Sequence, residues 1–509
     1  MQDPAEHLNT DRLSAEFIRK HPGTCAAAVI TGKQKIFYLT VFCLALLLLF
    51  YRWDLLIFLL TALLAFLYLS AAFFRLVAAV SGFFFRYERA DIPEGELPIY
   101  TILLPMYKEA NIAEQLIDRI RAIDYPLERL DVKILLEQDD TATIEAMRSL
   151  NLPEQFEILV MDPCLPKTKP RACNYGLEKA RGEFCVIYDA EDRPEPDQLK
   201  KAVGMFRGEG REDVACVQAK LNYHNSRQNL LTRLFTIEYT THFDLILPGM
   251  QLFNFPLPLG GTSNHFRTEI LKQIGGWDSF NVTEDCDLGI RIYENRYRTL
   301  LLDSTTWEEA NSRLGNWIRQ RSRWIKGFFQ THLVHYRSWF STIGRLGLWG
   351  SFGGFLAIGG GSLMILCNII FMLLLLGYCA LLLAGSLQGV PVMDQIVVST
   401  DNMFLHTEVF WKAWPLVYFG ADESMLYSIL SMIFASVSFL LFCANFVFLA
   451  IGMLGCFKRK YWHLILYTPL MFIYWQFMSI AAWKGFLQLF YKPFYWEKTK
   501  HGLQSDSQK

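Results

Sequence analysis

The stretch Gly182-Glu-Phe-Cys-Val-Ile-Tyr188-Asp189-Ala190-Glu191-Asp192 reads as a short apolar strand running straight into three acids within four residues. A continuous apolar run of this length, Phe184–Tyr188, suits a strand buried on both faces, as in a parallel sheet. Ligands of open α/β sheets bind beyond such carboxyl ends of strands. Three neighbouring carboxylates repel one another. A divalent cation resolves that repulsion, because hard oxygen ligands hold Mg2+ or Mn2+ while substrate phosphate oxygens complete the octahedron. A solvated acidic turn is the plainer alternative.

The same grammar extends to both sides. Further strands are expected at Ile99–Leu104, Val132–Leu136 and Glu157–Val160, and helices are expected to begin near Ala110, Thr141, Lys169 and Glu195. Strands alternating with amphipathic helices predict βαβ units and a mostly parallel sheet, an α/β domain between about Pro98 and Trp339. The first strand leads through Thr101-Ile-Leu-Leu-Pro105-Met-Tyr107-Lys-Glu109 into a turn, and the second ends in Glu137-Gln-Asp139-Asp140. A carboxylate there can accept hydrogen bonds from a base and ribose, whereas Asp140 is better read as a helix N-cap.

Three later constellations carry chemistry. Lys169-Pro-Arg171 opens a basic helix, and Gly260-Gly-Thr262-Ser263-Asn264 is a small-residue loop that lets backbone approach a sugar. Val282-Thr283-Glu284-Asp285 is a second acidic site, which a capping box explains about as well when taken alone. Gln320-Arg321-Ser322-Arg323-Trp324 lies in a basic aromatic stretch that also suits a helix on a membrane surface.

Of the 509 residues, 52% are hydrophobic, high for a wholly soluble chain, so part of it belongs in lipid. Lys plus Arg (49) and Asp plus Glu (50) cancel, which removes the basic excess that a nucleic-acid partner calls for. The eleven cysteines form no CxxC pair and no zinc spacing, and read as reduced thiols and core fillers.

Apolar stretches long enough to cross a bilayer run from Ile36 to Tyr51 and from Leu55 to Val80, with the tip Tyr51-Arg52-Trp53-Asp54 between them. The first follows a long polar lead without a small-residue cleavage site, so it reads as a retained anchor and not a signal peptide. Later spans are expected at Gly361–Ala384, Leu426–Leu454 and His463–Phe490, the last containing Pro469. The Gly-rich segment Gly347–Gly360 reads as interfacial or re-entrant. Basic residues beside the spans (Arg19, Lys20, Lys33, Lys35; Arg86; Lys458, Arg459, Lys460; Lys492, Lys498, Lys500) put both termini, the α/β domain and the Cys456–Tyr461 loop in the cytosol. Re-entry or an in-plane bend at Pro469 then reconciles the basic tail with the charge rule, and Ser386–Glu423 becomes a loop on the far side.

The order of Pro105-Met-Tyr-Lys-Glu109, Asp189-Ala-Glu191, Thr283-Glu-Asp285 and Gln320-Arg-Ser-Arg323-Trp324 resembles glycosyltransferase family 2, closest to the membrane synthases that include bacterial cellulose synthase and hyaluronan synthase. The tail Lys492-Pro-Phe-Tyr-Trp496-Glu-Lys-Thr499-Lys-His501-Gly is similar to an ending seen in one bacterial subset.

The resemblance implies a GT-A (Rossmann-like) cytosolic domain at 96–340, inserted between transmembrane helices and ending in an interfacial helix. A cytosolic segment (1–35) and two spans (36–82) precede it, and membrane or re-entrant segments (341–490) and a cytosolic tail (491–509) follow. It implies inverting transfer from a nucleotide sugar, a UDP-sugar in this branch, to a growing β-linked polysaccharide at a bacterial inner membrane, with membrane lipid and export proteins as partners. A single addition to a lipid or lipid-phosphate acceptor is the alternative, and a receptor or export scaffold with a degenerate domain a further one. In roles, the resemblance makes Asp285 the base with Glu284 beside it. The donor then meets Pro105, Tyr107, Glu109, Glu137 or Asp139, Lys169, Asp189 and Arg323. The acceptor meets Gln320, Trp324 and Thr283, and Mg2+ or Mn2+ sits on Asp189 with Glu191 or Asp192. The family usually has Asp-x-Asp where Glu191 stands here, and paired aspartates where Glu137 and Asp139 stand.

Overall fold

The computed structural model describes residues 11–88, 96–387, 443–495 and 497. Residues 426–442 of one expected span, the expected far-side loop beyond residue 387, and the tail residues Lys498, Thr499, Lys500 and His501 lie outside the described residues.

Eight strands form one sheet: β1 (Tyr100–Met106), β2 (Leu130–Glu137), β3 (Phe156–Met161), β4 (Phe184–Ile187), β5 (Arg193–Pro194), β6 (Val214–Tyr223), β7 (Asn264–Arg267) and β8 (Arg298–Glu308). Their order is β3-β2-β1-β4-β7-β6-β8-β5. β1 to β4 are mutually parallel, β7 runs against β4 and β6, and β8 lies parallel to β6. β6 and β8 therefore share the direction of β4. This mostly parallel sheet delivers the carboxyl ends of β1, β2, β4 and β8, with Met106, Glu137, Asp189 and Glu308, to one edge.

The four strands legible in the sequence lie within two residues of their expected bounds. β6 and β8 escaped because their interiors hide polar residues: Gln218 and Asn222, and Ser304, Thr305 and Thr306, are all buried. Helices start as expected at Thr141 and Lys169, and Asp140 does cap the former, accepting from Thr143 N at 3.5 Å. The helix expected near Glu195 begins at Gln198, because Arg193–Pro194 is taken by β5.

Three helices among the described residues are long and apolar enough to cross a membrane: Gly32–Tyr51, Ala62–Phe83 and Trp339–Ile370. The first touches little of the protein, whereas the other two bury 39% and 50% of their apolar windows against it. Only Arg52 separates the first two helices, so Trp53 and Asp54 belong to the second helix and not to a turn. The Gly-rich stretch is also not a separate segment. A kink at Gly347 (φ +71°) breaks the helix Trp339–Gly354, and from Leu348 the chain is helical through a π turn at Phe355–Gly360 into the helix Gly361–Leu387. Glycines let this helix lie on the domain, since a Cβ at Gly359 would stand 2.4 Å from the His332 ring.

The helix Cys443–Lys458 ends against the domain. Lys458 Nζ donates to the carbonyls of Gly82 (2.6 Å) and Asp244 (3.0 Å), and Arg459 donates to Asp244 Oδ2 and Thr305 Oγ1, each at 2.8 Å. The 456–461 loop therefore lies on the domain's side of the helices. Pro469 sits in a single 3-10 turn, Thr468–Leu470, after which Met471–Tyr491 runs along Leu314–His335, with the rings of Trp317 and Tyr474 5.0 Å apart. The N-terminal residues also dock on the domain. Arg171 Nε donates to Asp11 Oδ2 at 2.7 Å, and Ala26 N to Asp278 Oδ2 at 2.6 Å.

The span Ala62–Phe83 and the helix Leu247–Leu252 meet backbone to backbone, so that a Cβ at Gly249 would stand 1.9 Å from the carbonyl oxygen of Ala78. Gly249→Val is expected to cost about 1–3 kcal/mol by overpacking, read as a lower thermal midpoint of the detergent-solubilised protein. An unchanged midpoint would contradict this packing.

Candidate active site

At the carboxyl edge of the sheet lies a cavity of about 540 Å³. Pro105, Tyr107, Glu109, Glu137, Asp189 and Glu191 line one wall, Thr283, Glu284 and Asp285 another, and Gln320, Arg323 and Trp324 of the helix Leu314–His335 close it. Gly260, Gly261 and Thr262 of the small-residue loop and Lys169 complete the lining. Segments up to about 220 residues apart in sequence thus meet at one edge.

Lys169 is the hub of its electrostatics. Its ammonium donates to Gly261 O at 2.7 Å and pairs with Asp189. Burial works against its charge, but Asp189 and Glu284 more than offset that and hold its pKa above the ordinary lysine value. Arg323 is half-buried, and desolvation lowers its pKa, while Glu284, Asp189, Glu191 and Asp285 all favour its charge. Two fixed cations therefore face four acidic side chains in this cavity.

Asp192 departs from expectation. It is 1% exposed and points into the protein, its Oδ2 accepting from Asp189 N at 2.7 Å and lying against the Thr262 hydroxyl. That hydroxyl also lies 3.0 Å from Ile187 O, and its single proton serves only one of the two acceptors. A protonated Asp192 would supply a second proton, and burial, reinforced by Asp189 and Glu191, raises its pKa. Asp192 lies outside the cavity lining, which leaves Asp189 and Glu191 as the metal-ligand candidates there. Lys169 relieves part of the repulsion among the three acids. Among the described residues no trio of His, Cys, Asp or Glu stands assembled for a metal ion. Asp189 and Glu191 nevertheless give the cavity wall two hard oxygen donors, a set that fits Mg2+ or Mn2+ when substrate oxygens fill the remaining positions.

Asp285 opens the helix Glu284–Glu294, accepting from Cys286 N at 2.7 Å, with Gly261 beside its other oxygen. Burial pushes its pKa up to about 6, against the opposing pull of that N–H and of Lys169. Glu284 is pushed up further, by burial and by the neighbouring Asp285. Of the two acids, Asp285 is the one ionised at neutral pH and able to take a proton. Thr283 occupies the N-cap position without capping the helix, its hydroxyl lying 3.4 Å from that of Thr331, so the capping-box reading fails here.

At the second strand's end, Glu137 lines the cavity and takes both its oxygens to Arg171 Nη1 at 3.1 and 3.2 Å. Asp139 is exposed, lies outside the lining and pairs with Lys167. The structure thus drops Asp139 and keeps Glu137. Lys167 in turn covers the Tyr107 ring at 4.1 Å. Arg321 turns the other way from Arg323, pairing with Glu238 and donating to Tyr474 Oη at 3.0 Å among the rings of Phe235 and Trp324. Sequence reasoning missed Lys167, Glu238 and Glu308. Glu308 ends a strand whose polar interior hid it, and no spacing marks the other two.

Asp192→Asn is expected to be tolerated to within about 1 kcal/mol, since the raised pKa of Asp192 favours an uncharged side chain there. Asp192→Ala is expected to cost about 1–3 kcal/mol by orphaning the Asp189 N–H. Chemical denaturation compares them, and equal losses would contradict a protonated Asp192.

The chain is similar to known glycosyltransferases. Residues 98–327 match the family model described as glycosyltransferase like family 2. Over 237 residues the chain is 28% identical to the probable glycosyltransferase YdaM of Bacillus subtilis (strain 168), covering 46% of this chain and 56% of that relative. The chain thus spans about half the length of that curated relative. The mannosyltransferase PcManGT from Pyrobaculum calidifontis, solved in complex with GDP-Man and Mn2+, is similar at TM-score 0.46 and 18% identity, over 75% of this chain and 96% of its own. S. aureus TarS 1-349 in complex with UDP-GlcNAc is similar at TM-score 0.31 and 14% identity, over 52% and 80%. Residues 98–327 thus carry the likeness to glycosyltransferase family 2, and they are joined to apolar helices long enough to cross a membrane.

Proposed function

We propose that the domain is an inverting, metal-assisted transferase that moves a sugar from a nucleoside diphosphate donor, a UDP-sugar by resemblance, onto a growing β-linked glycan at a membrane. The observation that carries this reading is that one cavity holds both the acidic sheet edge and a membrane-side chamber, with Phe74, Ile365, Phe448 and Trp475 among its lining. The base and the donor's phosphates belong at the first end, and the acceptor enters by the second.

In this reading Asp285 takes the proton of an acceptor hydroxyl while its oxygen bonds to the anomeric carbon. The bond from that carbon to the diphosphate breaks, and the electron pair leaves with the nucleoside diphosphate. One displacement inverts the configuration, so an α-linked donor gives a β-linkage. Lys169 and Arg323 meet the growing charge on the leaving group as preorganised cations. Mg2+ or Mn2+ held by Asp189 and Glu191 would supply further charge neutralisation there. Trp324, close to Tyr239 and Phe235, offers an aromatic face to an acceptor sugar. The domain faces the cytosol of a bacterial inner membrane in this reading. The basic Lys458 and Arg459 on its side, and the final helix lying along Leu314–His335, support that orientation and the in-plane bend at Pro469.

A panel of nucleotide sugars with Mg2+ or Mn2+, read by nucleoside diphosphate release and product mass, tests the proposal. Release from none of them would end it, and products of a single added sugar would end the polymer reading. Asp285→Asn is expected to lower turnover by about 10²–10⁴-fold with donor affinity kept. Asp189→Asn is expected to weaken metal-dependent donor binding as well. Calorimetry separates the two, and equal loss of both functions in both variants would contradict the roles.

The raised pKa of Asp285 also sets a pH dependence. Below about 6 the carboxyl of the free enzyme is protonated and cannot act as base, so kcat/KM should fall tenfold per pH unit on the acid side and level off above. A kcat/KM that stays flat down to pH 4.5 would exclude Asp285 as the base.

A further inference from the structure

The membrane-side half of the cavity contains a cation that the transfer chemistry does not use. Arg75 lies in the candidate span Ala62–Phe83, eight residues before its end at Phe83, about 12 Å of helix. Its side chain lines the same cavity as Asp285. Among the described residues it has no hydrogen bond and no carboxylate within ion-pairing distance. Its one close partner is the ring of Phe448, 5.7 Å away. Glu238, the acid whose charge it feels, is already committed to Arg321 and to the Tyr474 hydroxyl. The guanidinium reaches toward Gly361, where a Cβ would be 3.8 Å from Nη2 and no side chain stands.

A cation at membrane depth is costly, and such residues mark ligand paths and carry named partners. Apolar side chains from four different helices, Phe74, Ile365, Phe448, Ile451, Trp475 and Met478, line this part of the cavity together with Glu238, His242 and Ser362. A neutral glycan would leave Arg75 unpaired among them. Guanidinium, with its planar fork of donors, suits a phosphate group, and the apolar helices suit a hydrocarbon chain.

The geometry points to Arg75 as the anchor for the phosphate of a lipid-borne acceptor, whose hydrocarbon chain lies among the helices and whose sugar reaches up the cavity to Asp285. This rests on the transferase reading above and names its acceptor class. The glycan grows on the sugar end while the phosphate stays at Arg75, so the bond made and the bond broken are those already described.

The test uses the full chain in lipid nanodiscs with the donor found by the nucleotide-sugar panel. Two acceptors carry the same monosaccharide, one on a polyprenyl diphosphate and one on an uncharged octyl chain. The wild type should use the phosphate-bearing acceptor at a KM at least tenfold lower. Arg75→Gln should raise that KM at least tenfold and leave the KM for the octyl glycoside within about twofold, while Arg75→Lys restores part of the loss. Gly361→Leu, which fills the space that Arg75 reaches into, should act like Arg75→Gln and serves if that variant folds poorly. Nucleoside diphosphate binding by calorimetry reports whether each variant is folded. Equal use of the two acceptors by the wild type, or equal loss on both in Arg75→Gln, overturns the phosphate site while leaving the transferase reading intact. Preference for a phosphate-free acidic glycan overturns it as well. Absence of nucleoside diphosphate release from every donor overturns both.

Discussion

Crowding of carboxylates at one buried edge of the sheet is the constraint around which the domain is arranged. Asp189, Glu191, Asp192, Glu284, Asp285 and Glu308 feel one another's charge there, and desolvation sharpens that repulsion. The protein answers with two fixed cations, Lys169 and Arg323, and by burying Asp192, whose pKa is raised there. The result is an edge whose charge is incompletely balanced by the chain itself. In the proposed reading a divalent cation would complete that balance and so admit the phosphates of a donor.

The helices outside the domain are part of this arrangement and not merely an anchor. The span Ala62–Phe83 touches the domain backbone at Gly249, Lys458 ties the carbonyls of Gly82 and Asp244 together, and the final helix packs along the helix that carries Gln320 to Trp324. The cavity therefore has a floor made by helices that are apolar on their other faces. In the proposed reaction an acceptor from the bilayer and Asp285 at the sheet edge would meet in this one cavity.

Much of the fold was readable beforehand. Strands β1, β2 and β4 are buried on both faces and β3, at the sheet edge, is partly exposed, yet each carries a short apolar run, and the helices after β2 and β3 begin at Thr141 and Lys169 where their N-terminal residues announce them. The strands that escaped carry buried polar side chains whose partners come from distant segments, such as Gln198 Nε2 bonded to Ser304 and Thr306 at 3.1 Å. No local pattern marks a polar residue that will be satisfied from another part of the chain. The Gly-rich segment misled for a similar reason. Gly347 does break the helix, but beyond it Gly353 and Gly359 serve close packing on Phe255 and His332 within a continuous helix.

By itself, the sequence determined the class of chemistry and the residues able to perform it: acids at strand ends, a Thr-Glu-Asp turn and a Gln-x-x-Arg-Trp helix between apolar spans. Those signals are local, since residue type and spacing along one strand or helix suffice to produce them. Which acid does what was left to the tertiary structure. Only there does Asp192 turn inward while Asp189 and Glu191 face the cavity, and only there does Glu137 meet Arg171 while Asp139 stays outside. Only there, too, does Arg75, one residue in a long apolar run, come to line the same cavity as Asp285. The physical reason is that ionisation and reach depend on burial and on partners far away in the chain, which the packing of sheet and helices alone brings together.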